Sequence, residues 1–250
     1  MPSLEYNIRG WARYDWSNRG DEWSQLWGGT ENLWRGSIEP RIRDLIPAGH
    51  ILEIAPGFGR ATQYLKDQCE TMTLVDLTER CIDACRERFA DDNHLRYVVN
   101  DGKSLPGVED KSIDFVFTWD SLVHVEMDIM ECYIAELARV LTAEGTAFIH
   151  HSNVAPFRNP DGEGFSIEIK GARGQTVSAE LVRKCCDDAG LVCYKQELIN
   201  WSCDHLIDTF SFITRKGSSH DRTPEIVENP GFMDEARRIG KMGWRHGYSH

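Results

Sequence analysis

The run Ile51-Leu52-Glu53-Ile54-Ala55-Pro56-Gly57-Phe58-Gly59-Arg60 limits the fold more than any other stretch, together with Leu74-Val75-Asp76, whose acid lies sixteen residues beyond Arg60. An apolar strand ends in a glycine turn, a helix follows, and a second apolar strand ends in an acid. That alternation is the pattern of a βαβ unit. Gly57 and Gly59 let the backbone approach a ligand with no Cβ in the way. The start of the next helix presents unpaired N–H groups and a positive dipole end to a carboxylate or phosphate. Asp76 stands where an acid accepts both hydroxyls of a ribose. Ala55-Pro56 stiffens the turn and calls for φ below zero at Ala55.

The spacing selects among adenosine cofactors. A dinucleotide fingerprint reads G-x-G-x-x-G, whereas Gly57-Phe58-Gly59-Arg60-Ala61-Thr62 places Thr at the third glycine position and disfavours a pyrophosphate. The order E-x-A-x-G-x-G-R, with the acid after the following strand, resembles motif I and the post-I acid of class I S-adenosylmethionine-dependent methyltransferases. The family more often has Gly where this chain has Ala55. The resemblance implies S-adenosylmethionine as cofactor, its methionine moiety held by Glu53 and the turn from Ala55 through Gly57 to Gly59, its ribose by Asp76 beside Leu77. It also implies that the strand ending in Asn100-Asp101-Gly102 reaches the adenine. Asp101 would there accept from the exocyclic amine, Gly102 would allow close approach, and Trp119, ending the next strand, completes the set.

Strands are expected over 50–55, 71–76, 95–100, 113–119, 146–151, 191–201 and 206–214, with helices over 60–68, 78–89, 127–142 and 178–189. The last two strands are close enough to pair as a hairpin. Ser178 is a cap and Gly190 a stop for the helix between them. The resemblance implies an α/β fold of three layers, α/β/α, around a Rossmann-like, doubly wound, seven-stranded sheet whose last strand is antiparallel. Three regions follow: residues 1–48, an N-terminal Trp-rich lid or helical segment; 49–215, the cofactor-binding domain; and 216–250, a C-terminal extension read as a lid, a dimer contact or a loose tail. Five of the eight tryptophans fall in the first region, and Pro40 should kink or restart the amphipathic helix that begins at Trp34.

With 250 residues and 41% hydrophobic content, one large core is expected. A formal net charge of −12 argues against a nucleic-acid groove, which needs clustered Lys and Arg. There is no apolar stretch of membrane-spanning length, and the first residues lack a basic-then-apolar leader, so a cytoplasmic protein acting on a small-molecule acceptor, without nucleic acid or membrane, is expected. The eight cysteines contain no Cys-x-x-Cys and read as buried apolar side chains, and no metal is expected.

Transfer of a methyl group from a sulfonium to a hydroxyl requires alignment and removal of the hydroxyl proton. His150-His151-Ser152-Asn153 ends the fifth strand, at the acceptor side of such a sheet. Alternation sends one histidine toward the pocket and one away. His151, nearer the strand end, is the preferred general base; His150 and Asn153 are acceptor contacts or, for His150, the alternative base. Asp120-Ser-Leu-Val-His124 follows the fourth strand, where the resemblance places an acid near the methyl donor; four apart, Asp120 and His124 share a face in a helical turn. Trp201 and His205, in the last hairpin loop, and Trp27, in Trp27-Gly28-Gly29-Thr30, are further acceptor contacts. The whole pattern resembles bacterial sugar or small-molecule O-methyltransferases, which implies a sugar hydroxyl as acceptor. A small carboxylate or phenol is the alternative, and a cofactor-binding protein without turnover the second.

Overall fold

The computed structural model describes residues 3–169 and 171–245. Its strands are β1 (Ala48–Ile54), β2 (Cys69–Asp76), β3 (Leu95–Val99), β4 (Ile113–Thr118), β5 (Leu141–Ser152), β6 (Leu191–Ile199), β7 (Asp208–Arg215) and β8 (Glu225–Asn229). They form one sheet in the order β3-β2-β1-β4-β5-β7-β6-β8. Only β7 runs antiparallel, against β5 on one side and β6 on the other. The carboxyl ends of β1 to β5 therefore share one rim, and the strand order reverses between β1 and β4, where ligands bind in doubly wound sheets.

The strands are near-continuous apolar runs because both faces are covered. Ile51, Leu74, Phe115 and Phe148 face one layer, while Leu52, Val75, Val116 and Ile149 face the other, all fully enclosed. Period-2 alternation decides this split. The second layer is closed by the helix Met127–Val140, which buries Met130, Ile134 and Leu137, and by Ala179–Asp188, capped by Ser178 as its sequence predicts.

Three elements depart from expectation. The helix read over 60–68 shrinks to Thr62–Leu65 and a 3₁₀ turn, Lys66–Gln68. Gly59, at φ +80°, keeps the preceding residues turned, and a Cβ there would meet the Phe89 ring at 2.5 Å. So short a helix has little macrodipole to offer an anion. Pro40 is accommodated by a π-helical turn, Trp34–Ile38, between Thr30–Leu33 and Glu39–Ile42; such turns absorb a local irregularity within a continuing helix. The sheet also has an eighth strand: β8 adds to β6 in parallel, and the helix Phe232–Arg245 after it buries Phe232, Met233 and Ala236. Arg41 ties this extension down, binding Glu197 of β6 at 2.7 Å and Glu235 at 3.0 Å.

The N-terminal helix, Leu4–Arg13, capped by Ser3, and the turns after it lie over the rim. Trp16 stacks on Phe58 of the glycine turn at 4.7 Å and 5°, so the tryptophan-rich segment is seated on the β1 turn itself. Among the described residues no helix is long and apolar enough to cross a membrane.

Candidate active site

Two adjoining cavities open at the rim. The first, of about 950 Å³ including its mouth, runs under the N-terminal segment between the ends of β1, β2, β3 and β4. Glu53, Ala55, Gly57, Asp76, Leu77, Gly102 and Trp119, each expected at the cofactor, all line it. Glu53 is enclosed, its carboxyl accepts from Thr62 Oγ1 at 2.5 Å, and burial pushes its pKa up to about 7. Thr62 at the third glycine position thus serves the motif-I acid. Asp76 accepts from the backbone N–H of Gly57 and Thr78 at 3.2 and 2.9 Å and from the Thr78 hydroxyl at 3.1 Å; burial raises its pKa to about 6 despite these bonds. A carboxylate has about four acceptor positions, so one of them remains for a ligand.

Ala55 corrects the reading of the turn. It sits at φ +58°, in the left-handed region, not below zero. Its N–H donates to Val75 O at 2.7 Å and its carbonyl accepts from Ser121 Oγ at 3.1 Å, and these two bonds hold the strained residue in place. Gly59 faces Phe89 and not the cleft, so it acts through packing. Asp101 is likewise displaced: Oδ1 of its exposed carboxylate accepts from the N–H groups of Lys103 and Ser104, which lowers its pKa, and the residue does not line the cleft. Asn100 lines it instead, with Tyr133, whose hydroxyl accepts from Asn100 Nδ2 at 3.1 Å.

Among the described residues Asn100 Oδ1 and Trp119 Nε1 are buried with no hydrogen-bond partner. Orphaned buried polar atoms are costly, and an acceptor and a donor left without partners on two residues that line one cleft point to a polar ligand there. Together with Asp76 they fit the polar groups of an adenosine. Arg60, buried in the same cleft, bonds Asp120 Oδ2 at 3.4 Å and lies over Trp23 at 5.3 Å.

The second cavity shares Asn7, Trp11, Trp23 and Asp120 with the first and is otherwise lined by Tyr6, Tyr14, His124, Ala172, Arg173 and Trp201, among others. Asp120 is therefore one of four residues on the boundary, held at φ +55°. His124 follows in a 3₁₀ turn, Leu122–His124, and its Nδ1 bonds Ala172 O. A carbonyl only accepts, so Nδ1 carries the proton and the neutral ring keeps its lone pair at Nε2. Burial, then the nearby Arg173 guanidinium, lowers the His124 pKa below its ordinary value.

The histidine pair behaves differently from expectation. His151 is fully enclosed against β7, with Nε2 2.8 Å from Ser211 Oγ and Nδ1 2.8 Å from Ser152 O, and burial lowers its pKa to about 4. It lines neither cavity. Alternation turns His150 toward the site instead. Its Nδ1 accepts from the Asp120 N–H at 3.0 Å and its Nε2 lies 3.2 Å from Asp208 Oδ2. Having no exposed surface, it stands behind Asp120 rather than against an acceptor.

Three other expected contacts line neither cavity. Trp27 is enclosed, donating to Ser37 Oγ at 2.9 Å. Asn153 bridges Leu206 O and the Ala179 N–H. His205 is exposed beside Phe157. Asp120, His124 and Trp201 do meet. Sequence reading missed Arg173, in the aperiodic stretch before Ser178, and Asn7, although Arg60 stood within the quoted motif.

Residues 52–149 match the family model described as a methyltransferase domain. Over these residues the chain carries a methyltransferase domain. Solved structures show the same fold: a Pyrococcus horikoshii protein at 20% identity, covering 85% of this chain and 99% of its own with TM-score 0.58, and an S-adenosylmethionine-dependent methyltransferase from Clostridium acetobutylicum at 14%, covering 82% and 96% with TM-score 0.58. A TehB-like S-adenosylmethionine-dependent methyltransferase from Corynebacterium glutamicum matches at 20%, covering 80% and 99% with TM-score 0.53. Comparison with curated proteins finds no match.

Proposed function

We propose that this methyltransferase acts on a hydroxyl of a small-molecule acceptor, a sugar in polysaccharide or natural-product assembly, seated in the second cavity. The observation that carries the reading is the meeting of the two cavities at Asp120, with the neutral His124 ring beside it on the acceptor side. Bound in the first cavity, S-adenosylmethionine supplies an activated methyl group. Asp76 binds a ribose hydroxyl and Asn100 Oδ1 the adenine amine, Glu53 and the Ala55–Gly57 turn hold its amino-acid end, and Arg60 the carboxylate there. Trp11, Trp23 and Trp201 offer flat indole faces to the C–H face of a sugar ring. His124 Nε2 takes the hydroxyl proton, and Ala172 O, already bonded at Nδ1, steadies the imidazolium that results. Asp120 orients the hydroxyl. Residues 1–48 act as the lid that keeps water out.

Labelled methyl donor, offered with hexoses, phenols and carboxylic acids, followed by mild alkali, separates the alternatives. An alkali-stable methyl ether on a sugar is the expected product. Alkali-labile label would mean a carboxylate acceptor that needs no base, and no transfer to any hydroxyl would overturn the reading.

A further inference from the structure

Among the described residues Arg173 is the only Lys or Arg lining the second cavity, and it is 5% exposed. Its Nε and Nη2 donate to Asp208 Oδ1 and Oδ2, each at 2.9 Å. That pairing occupies one edge of the guanidinium and fixes its plane. Trp201 lies 5.8 Å from its central carbon, a cation–π contact that holds one face. Asp208 is itself fully enclosed and also takes His150 Nε2, so it cannot swing aside. Nη1 is left. Among the described residues it has no hydrogen-bond partner, although it belongs to a charge nine-tenths buried on a cavity wall. A plain structural ion pair with Asp208 needs neither the cavity nor the open nitrogen. The loop carrying Arg173 is stitched to the site: Ala172 O holds His124, the Gly174 N–H donates to Val123 O at 2.8 Å, and Glu126 Oε2 accepts from the Gln175 and Thr176 N–H groups at 2.9 Å. The guanidinium is thereby held at a fixed place relative to His124.

We propose that Arg173 Nη1 binds an anionic substituent of the acceptor, so that the substrate is a hydroxylated compound carrying a carboxylate or phosphate: a sugar acid or a sugar phosphate. The proposal rests on the reading of the second cavity as the acceptor site and narrows it. Asp120 is paired with Arg60, which leaves the anion no unpaired carboxylate to face. The tryptophan walls take the ring, Nη1 takes the charge at one end, and His124 meets a hydroxyl.

Binding tests this without turnover. Trp11, Trp23 and Trp201 line the cavity, so quenching of tryptophan fluorescence in the protein loaded with S-adenosylhomocysteine reports occupancy. The probes are glucose, glucuronate and glucose 1-phosphate. An anionic probe should bind at least ten-fold more tightly than glucose, with the margin shrinking as salt rises. Which anion leads distinguishes carboxylate from phosphate. In an Arg173→Gln, Asp208→Asn double variant, which leaves no buried charge unpaired, the margin should vanish. Equal binding of all three probes by the native protein, or a margin that survives in the double variant, overturns the proposal. Anion-selective binding without methyl transfer would instead count against the hydroxyl reading and leave the anion site standing.

Discussion

Replacing Asp76 by Asn should weaken cofactor binding and stabilise the free protein at the same time. The folded state holds the Asp76 proton more tightly than the unfolded chain, its pKa rising from 3.8 to about 6 on burial. Stability from this group is therefore fully present below pH 3.8 and is lost as pH rises through about 6. At roughly 1.4 kcal/mol per pKa unit the loss at pH 8 is on the order of 3 kcal/mol. Asn carries no charge and removes that penalty, though it weakens the bonds from Gly57 and Thr78. A net gain of about 1–3 kcal/mol, or roughly 2–10 °C in Tm for a domain of this size, is expected at pH 8 and should fade by pH 4. The same change removes a charged acceptor from the ribose, costing about 1.5–3 kcal/mol, or roughly ten-fold or more in affinity. In the native protein, S-adenosylhomocysteine affinity should fall as pH drops below about 6, because the carboxyl must ionise to accept; the Asn variant should lose much of that slope. Scanning calorimetry at pH 4 and 8, with titration calorimetry across the same range, makes the test. A variant less stable at pH 8 with unchanged affinity would refute both the buried charge and its role.

His151→Ala should cost about 1–3 kcal/mol of stability, from an emptied buried site and a Ser211 O–H that loses its acceptor while the oxygen still accepts from Gln196 Nε2, and leave the methyl-transfer rate within a few-fold; urea unfolding and initial rates check the two halves. Ala55→Gly should relieve the left-handed strain of about 1–2 kcal/mol against a glycine entropy cost of roughly half that, for a small net gain read as a higher urea midpoint.

Much of the fold is legible because it is written locally. The runs at 50–55, 71–76 and 113–119 fall within two residues of β1, β2 and β4, since apolar continuity and turn residues mark both ends of a buried parallel strand. Glu225-Ile-Val-Glu-Asn is five residues of mixed polarity at a sheet edge, and only its pairing with β6 makes it a strand. In the site, Asp76 and Asp120 are fixed by their place at strand ends. The His150-His151 pair is not, because all of β5 from Gly145 onward is buried on both faces and no polar pattern marks which side opens on the cleft. Ala55 shows the limit of local rules: the preference of a residue before proline is outweighed by bonds to Val75 and Ser121, which only the assembled sheet supplies. Arg173 depends on a partner, Asp208, thirty-five residues away, and carries no local signature at all.

The central claim is that His124 removes the acceptor proton beside a cofactor cleft built by other residues. His124→Ala, compared with the native protein for single-turnover methyl transfer to a sugar hydroxyl and for S-adenosylhomocysteine affinity by calorimetry, tests it most directly. The account predicts a rate lower by about 10²–10⁴ with affinity unchanged within a few-fold. A variant that transfers methyl to the hydroxyl at the native rate would contradict it.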